Sequence, residues 1–181
     1  MDFHCTETLK YSLPLVWENL RDHLPDVAAA QDDIEYVKVE KRNTKDPKST
    51  HVISTWKSDP PLPSFIKGFI KPDMLIWTDD AVWDNVDHIC NFNIITHYKV
   101  EDITCVGSIK LEAAGAKSTR IIYSGVFSIK KTSKSSVFMT GFIIKGIESI
   151  AGTLISNNFA KVVKALGEAI KSGKWADGKP A

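Results

Sequence analysis

The spacing of hydrophobic positions changes three times along the chain, and each change predicts a different kind of element. Residues 2–10 alternate between apolar and polar side chains, so residues 1–10 are predicted to form a strand. Residues 13–30 instead repeat apolar side chains every three or four positions, as a helix does, until Pro25 interrupts the pattern. We therefore predict two short helices in this region, the second one capped by Asp26.

Residues 34–130 return to alternation in six segments, of which residues 118–130 are the clearest. The connections between the segments are short, which indicates antiparallel neighbours with one buried and one solvent-exposed face. Gly107 and Gly125 fall on the apolar parity of neighbouring segments. A glycine there either lets the strand bend or leaves volume for a ligand.

Residues 140–172 predict one long amphipathic helix, with apolar side chains at spacings of mostly three and four. Gly146 and Gly152 lie inside it, where each costs about 1 kcal/mol relative to Ala, so we expect a packing reason for them or a bend. Asn158 interrupts the apolar stripe. If its side chain faces inward, it needs a hydrogen-bond partner. A long helix must bury its stripe, and the apolar face of the predicted sheet is the available surface.

Composition and charge place the chain among globular proteins and exclude several functions. It has 181 residues, 43% of them hydrophobic and 25% charged, with a formal net charge of +1, which predicts a single domain over residues 1–181. The near-neutral charge argues against nucleic-acid binding. The three cysteines are far apart, and no spacing predicts a disulfide framework, a metal site or a cofactor. We expect a cytoplasmic protein, because there is no secretory signal pattern and no apolar run of the ~20 residues that span a membrane.

Signals for catalysis are weak. The five histidines are scattered, and no pattern of nucleophile, base and orienting group is present. Asp79 and Asp80 are adjacent in a segment that alternates like a strand, and we interpret them as a solvent-exposed strand edge rather than a proton-transfer pair. We therefore assign no catalytic residue.

The order of strand, two short helices, six strands and long C-terminal helix resembles the START-like, or SRPBCC, superfamily over essentially the whole chain. Local sequence is similar to a little-characterised, lipid-binding-type branch of that superfamily, in "LPSFIKGFI" before "WTDDAVW", then "CVGSIKLEAAGAKSTRIIYSGVFSIK", and finally "GFIIKGIESIAGTLI". The resemblance implies an α+β helix-grip fold, in which a curved antiparallel sheet of about seven strands wraps around the C-terminal helix. It also implies an apolar cavity between sheet and helix. Relatives include lipid carriers, cyclases, hydrolases and receptors, so the fold does not choose the function.

On such a fold, the ligand-binding side chains are expected on the inward parity of the strands, on the proline-rich loop and on the final helix. These residues are Trp56, Phe65, Phe69, Trp77, Phe92, Ile94, Tyr98, Ile109, Tyr123, Phe127, Ile147 and Leu154.

Some of these positions allow two interpretations. The loop over residues 60–70, stiffened by prolines, either acts at the surface, where it covers the mouth of the cavity or touches a membrane, or packs against the body of the protein. Trp77 and Trp83 share a parity and form either core or cavity wall. The hydroxyl groups of Tyr98 and Tyr123 are either satisfied locally or placed for a ligand with a polar head.

The favoured hypothesis is non-catalytic binding or transport of a hydrophobic, lipid-like small molecule (a lipid, sterol or fatty acid) by a monomer or weak dimer that touches membranes transiently. One alternative is a cyclase- or hydrolase-like enzyme that uses Tyr98, Tyr123 or a histidine in the same cavity. Another is an interaction module whose cavity has collapsed. A cavity of ligand size, ~300 Å³ or more, would argue against the last alternative.

Overall fold

The structure, a computed structural model, describes residues 1–60, 71–98, 103–130 and 141–175, and leaves out the side chains of residues 141–144, 147 and 150. The described residues form seven strands, two long helices and a short 3-10 helix. In chain order these are β1 (Asp2–Leu9), α1 (Leu13–Ala29), β2 (Ile34–Asn43), β3 (Ser49–Ser58), the 3-10 helix (Pro72–Leu75), β4 (Ile76–Asp84), β5 (Ile89–Thr96), β6 (Ile103–Gly115), β7 (Ser118–Ile129) and α2 (Gly141–Ser172).

The seven strands form one antiparallel sheet in the order β1-β7-β6-β5-β4-β3-β2. The first strand, β1, pairs with the last strand, β7, and every other pair of neighbours in the sheet is also consecutive in the sequence. Antiparallel strands can be joined by a tight turn, as between β6 and β7, and also by a longer connection, as between β3 and β4. The predicted antiparallel sheet of about seven strands is confirmed.

One hydrophobic core joins the sheet to both helices. Trp17 of α1, Ile121 of β7 and Leu166 of α2 are almost completely buried and belong to the same cluster. The C-terminal half of α2 supplies Phe159 and Val163 to this cluster, at the helical spacing of four that the sequence shows. The predicted long helix is thus confirmed, and its apolar stripe packs on the sheet.

The prediction of two short helices was wrong, because α1 runs through Pro25 without a break. Proline has no N–H to donate to the carbonyl of Arg21, four residues earlier. Arg42 of β2 compensates: its guanidinium donates to the carbonyl oxygens of Arg21 (3.5 Å) and Asp22 (3.1 Å). Asp26 caps no second helix, and its Oδ2 lies 3.1 Å from Nδ1 of the buried His23.

Gly107 and Gly125 face each other in the β6–β7 ladder, and the register between these strands is regular there. A Cβ atom at Gly107 would lie 2.7 Å from Cζ of Phe92, and one at Gly125 would lie 2.6 Å from Cζ of Phe3. Both would also overlap the backbone of the paired strand. The absent side chains therefore make room for two aromatic rings of the protein and leave no volume for a ligand at these positions.

The two glycines inside α2 differ in their surroundings. A Cβ atom at Gly152 would lie 2.8 Å from Sδ of Met1, so this glycine lets the first residue pack against the helix. At Gly146 a Cβ would meet no described atom within 4 Å. The expected packing reason holds for Gly152, whereas the structure offers none for Gly146.

Candidate functional site

A cavity of about 400 Å³ lies between the inner face of the sheet and the two helices. Its walls come from α1, from strands β2 to β7, from the segment around the 3-10 helix and from the middle of α2. Most of the lining side chains are aliphatic or aromatic. This volume falls within the ~300–1,000 Å³ that small-molecule sites typically have, so the cavity is large enough for a ligand.

Eight of the twelve predicted ligand-binding residues line this cavity: Trp56, Trp77, Phe92, Ile94, Ile109, Tyr123, Phe127 and Leu154. Tyr98 does not line it. Phe65 and Phe69 lie outside the described residues, as does the side chain of Ile147.

Tyr98 departs from the prediction because β5 ends before it. The strand stops at Thr96, whose Oγ1 donates a hydrogen bond to the carbonyl oxygen of Tyr98 (3.1 Å). The inward parity of the strand therefore does not extend to Tyr98. Its ring lies beside Lys71, with Nζ 5.6 Å from the ring centroid.

Trp56 and Trp77 mark one end of the cavity. They are register partners on β3 and β4, and their rings are stacked, with centroids 6.0 Å apart and planes 18° apart. Trp56 Nε1 donates to Ser54 Oγ at 2.8 Å, which satisfies its one donor within the protein. Pro60 and Met74, which flank the predicted loop, also line this end. The loop itself, residues 61–70, lies outside the described residues.

A cluster of aromatic rings forms the wall nearest α2. The ring of Tyr123 lies 5.3 Å from that of Phe92 and 5.3 Å from that of Phe159, measured between centroids. No described group hydrogen-bonds the Tyr123 hydroxyl. Burial is the main reason why the pKa of this phenol is raised, and the negative charges of buried neighbours add to it. Tyr123 thus stays a neutral hydroxyl inside an apolar wall.

The interpretation of Asp79 as part of a solvent-exposed edge was wrong. β4 lies inside the sheet between β3 and β5, and Asp79 shares its inward parity with Trp77 and Ala81. The Asp79 side chain lines the cavity, and the residue is only 8% exposed. Asp80 faces the other side, where its carboxylate lies 2.6 Å from Nε2 of His51. The adjacent aspartates therefore occupy opposite faces of the sheet.

The environment of Asp79 favours its neutral form. Burial raises the pKa of the Asp79 carboxyl to about 7 from its ordinary 3.8, and the nearby charge of Asp80 adds to the shift. Asp79 Oδ1 is buried and accepts no hydrogen bond from the described residues. Arg21 lines a second cavity of about 10 Å³ together with Asp79, but its guanidinium donates to Asp22 and Asn85.

Two further acceptors of the cavity wall resemble Asp79 in this respect. Asp33, at the start of β2, is 5% exposed, and its Oδ2 accepts from Lys161 Nζ at 3.3 Å, whereas its Oδ1 has no partner among the described residues. Asn158 of α2 lines the cavity with its Oδ1 also unpartnered. The partner that the sequence required for an inward Asn158 is thus not supplied by the described part of the chain.

Trp83 belongs to the core and does not line the main cavity. It is 1% exposed and packs edge-on against Trp17, with centroids 5.4 Å apart. Of the two interpretations for the tryptophans of β4, the cavity wall applies to Trp77 and the core to Trp83.

The described residues place no histidine, lysine or arginine in the lining of the main cavity. Nor do they contain a group of three or more side chains that could hold a metal ion. Among the described lining residues, the carboxyl group of Asp79 is therefore the group that could bind or exchange a proton at neutral pH, because its pKa is raised to about 7, whereas burial raises the pKa values of Tyr123, Cys90 and Cys105 further from neutrality. Within the same residues, no helix is long and apolar enough to cross a membrane.

Comparison with known proteins rests on structure alone. No protein-family model matches the chain, and no curated protein matches it in sequence. Its structure is similar to the Zhui aromatase/cyclase from Streptomyces sp. R1128, with a TM-score of 0.69 and 14% identity over 98% of each chain.

Two further solved structures are similar over nearly the whole chain. A protein from Thermus thermophilus gives a TM-score of 0.67 at 13% identity, covering 96% of this chain and 99% of that one. Norcoclaurine synthase from Thalictrum flavum, solved with dopamine and hydroxybenzaldehyde, gives 0.62 at 14% identity, covering 95% and 87%. At these identities the likeness concerns the fold.

Proposed function

We propose that this chain, which has the START-like helix-grip fold, binds a hydrophobic small molecule in the cavity between its sheet and α2, as a cytoplasmic carrier or sensor that does not alter its ligand. The superfamily fold expected from the sequence is confirmed by the likenesses above. The observation that carries the proposal is the cavity itself, about 400 Å³ in volume and lined mostly by apolar side chains.

Burial of apolar ligand surface supplies the affinity in this proposal. Each square ångström of apolar surface removed from water contributes about 25 cal/mol, and aromatic side chains offer large apolar areas for contact. We propose the eight lining residues predicted from the sequence as the principal contacts. Trp56 and Trp77, at the end next to Pro60, are the contacts closest to the expected entrance.

A cavity of this size argues against the interaction-module alternative. That hypothesis required the space between sheet and helix to be filled by side chains. The same observation leaves the carrier and the enzyme as candidates, since both need a cavity.

Filling the cavity from α2 tests the proposal. Ala151 lines the cavity, so Ala151→Phe places a ring in the ligand volume, whereas Ala160→Phe adds the same ring on the exposed side of the same helix. We expect native mass spectrometry to detect a co-purified compound on the wild type and on Ala160→Phe, and far less on Ala151→Phe. Circular dichroism checks that all three proteins are folded. Equal occupancy of both variants would contradict a ligand in this cavity.

Asp79 gives a specific reason to keep an enzyme as the second candidate. A carboxyl group with a pKa of about 7 is suited to act as a general acid or base at neutral pH. The compounds recovered from the wild type and from Asp79→Asn distinguish the two functions. A carrier gives the same compound from both proteins, whereas an enzyme gives a precursor of the wild-type compound from the variant.

A further inference from the structure

We propose that the ligand carries a protonated amine, and that Asp79 binds this amine inside the apolar cavity. The inference rests on the proposed function, because it concerns the ligand of the same cavity. It concerns the polar end of that ligand, because apolar side chains alone do not determine which polar group the ligand carries.

The cavity wall contains hydrogen-bonding groups that no described residue satisfies. Three buried side-chain oxygen atoms have no partner among the described residues, namely Oδ1 of Asp33, of Asp79 and of Asn158. All three residues line the main cavity. Each of these oxygens can accept a hydrogen bond, so the ligand group that satisfies all three is one that donates. The Tyr123 hydroxyl and the Asn158 amide group of the same wall can also donate, so they suit a second, accepting group of the ligand. An ammonium group offers three donors and no acceptor, whereas a carboxylate offers acceptors alone.

The charges around the cavity favour a cationic group on the ligand. The lining contains two carboxyl groups and, among the described residues, no cationic side chain. The cations nearby are already paired: Lys161 with Asp33, and Arg21 with Asp22. A buried carboxylate is stable only with a partner that is charged or hydrogen-bonded. On β3, the register partner of Asp79 is Ser54, a buried neutral hydroxyl. The charge of Asp79 also acts on the thiols of Cys90 and Cys105, and none of these three groups supplies a positive charge.

The position of Asp79 favours a ligand that has a cationic head and an apolar remainder. Asp79 lies one inward position from Trp77 and is the register partner of Ile94, both of which line the cavity. A carboxylate surrounded by aromatic and aliphatic side chains can pair with a cationic head while the walls bury the apolar remainder of the same molecule. The structure thus favours amphiphilic amines over the fatty acids that the sequence-based hypothesis includes.

A matched set of probes tests the inference: decylamine, decanol and decanoate, which share one chain and differ in charge. Binding is followed by tryptophan fluorescence at about pH 8, where Asp79 is mostly ionised, and below the concentrations at which the probes self-associate. On the wild type we expect decylamine to bind about tenfold more tightly than decanol, since a charge-assisted pair contributes on the order of one factor of ten or more. Decanoate should bind most weakly.

Two variants assign the preference to Asp79. Asp79→Asn removes the inward carboxylate and should abolish the preference for decylamine over decanol. Asp80→Asn removes the same charge from the opposite face of the sheet, so it should retain the preference. Decanol that still binds Asp79→Asn shows that the cavity is present in that variant.

The outcomes separate this inference from the proposed function. If decanol binds and Ala151→Phe abolishes that binding, but decylamine has no advantage that depends on Asp79, the inference is overturned and the proposed function remains. A carboxyl group satisfied by water in the small neighbouring cavity would give that result. If no probe binds the wild type, or if Ala151→Phe changes nothing, both the inference and the proposed function are contradicted.

Discussion

Replacing Asp79 by Asn should make the protein more stable at neutral and alkaline pH. The change keeps the shape of the side chain and removes its ability to ionise. In the folded protein the carboxyl has a pKa of about 7, against 3.8 as the ordinary value that applies to the unfolded chain. The folded state therefore binds a proton more tightly than the unfolded state does. The stability contributed by this group is complete below 3.8 and is lost as the pH rises to about 7.

The magnitude follows from the difference between the two pKa values. One pKa unit corresponds to about 1.4 kcal/mol, so a difference of about three units corresponds to about 4 kcal/mol over the whole range. Between about pH 5 and about pH 8 the wild type should lose about 3 kcal/mol through Asp79 alone. Asp79 is 8% exposed, so solvent screening reduces this figure little. Against a total stability of about 5–15 kcal/mol, the effect is readily measurable.

Urea denaturation at several pH values measures the effect. The difference in unfolding free energy between Asp79→Asn and the wild type should grow by about 3 kcal/mol from about pH 5 to about pH 8, in favour of the variant. Asp80→Asn is the control, because Asp80 is on the outer face and pairs with His51. A difference between Asp79→Asn and the wild type that stays constant across this pH range would refute the assignment of Asp79 as a buried carboxyl with a raised pKa.

Two further predictions concern the packing of the sheet and the reactivity of the cysteines. Gly107→Ala should destabilise the protein by about 1–3 kcal/mol in urea denaturation, since the added Cβ overlaps the neighbouring strand. Gly146→Ala should instead stabilise it by about 0.5–1 kcal/mol, because Ala has the higher helix propensity. Changes of the same sign in the two variants would contradict this prediction. Burial raises the pKa of Cys105 to about 11 and raises that of Cys90 as well, so iodoacetamide should modify Cys5 alone in the native protein. Mass spectrometry counts the modified cysteines. Early modification of all three would contradict the burial of Cys90 and Cys105.

The large elements of the fold could be predicted because their patterns are long. Alternation over residues 34–130 and helical spacing over residues 140–172 each extend through many positions, so single exceptions do not change the assignment. The prediction of a helix break at Pro25 was wrong because the residue that compensates for the missing N–H of proline is distant in the sequence. Arg42 lies 17 residues further along the chain. It reaches the Arg21 carbonyl, which proline leaves without its helical donor, and the neighbouring Asp22 carbonyl only once β2 is placed beside α1.

The candidate site could be predicted only for its apolar part. Strand parity placed Trp77 and Phe92 in the cavity, because each parity of a strand shares one face. The same rule assigns Asp79 to the face of Trp77, so the signal for the buried carboxyl was present in the sequence. The interpretation as a solvent-exposed edge treated the two adjacent aspartates together, although adjacent residues of a strand face opposite sides and β4 has a strand on each side. Asp33 gave no such signal, since it precedes β2 and its burial depends on how the helices pack.

The sign of the Asp79 effect connects the stability of the fold with the proposed function. At neutral pH a buried carboxyl without a protein partner lowers the stability of the folded state, and no described contact of the fold depends on its charge. A ligand cation that pairs with Asp79 would lower the pKa of the carboxyl and return that stability to the complex. Residues that weaken a fold are concentrated at sites where the chain binds or reacts. The destabilising position of Asp79 is therefore an argument for function that does not depend on the likeness to other helix-grip proteins.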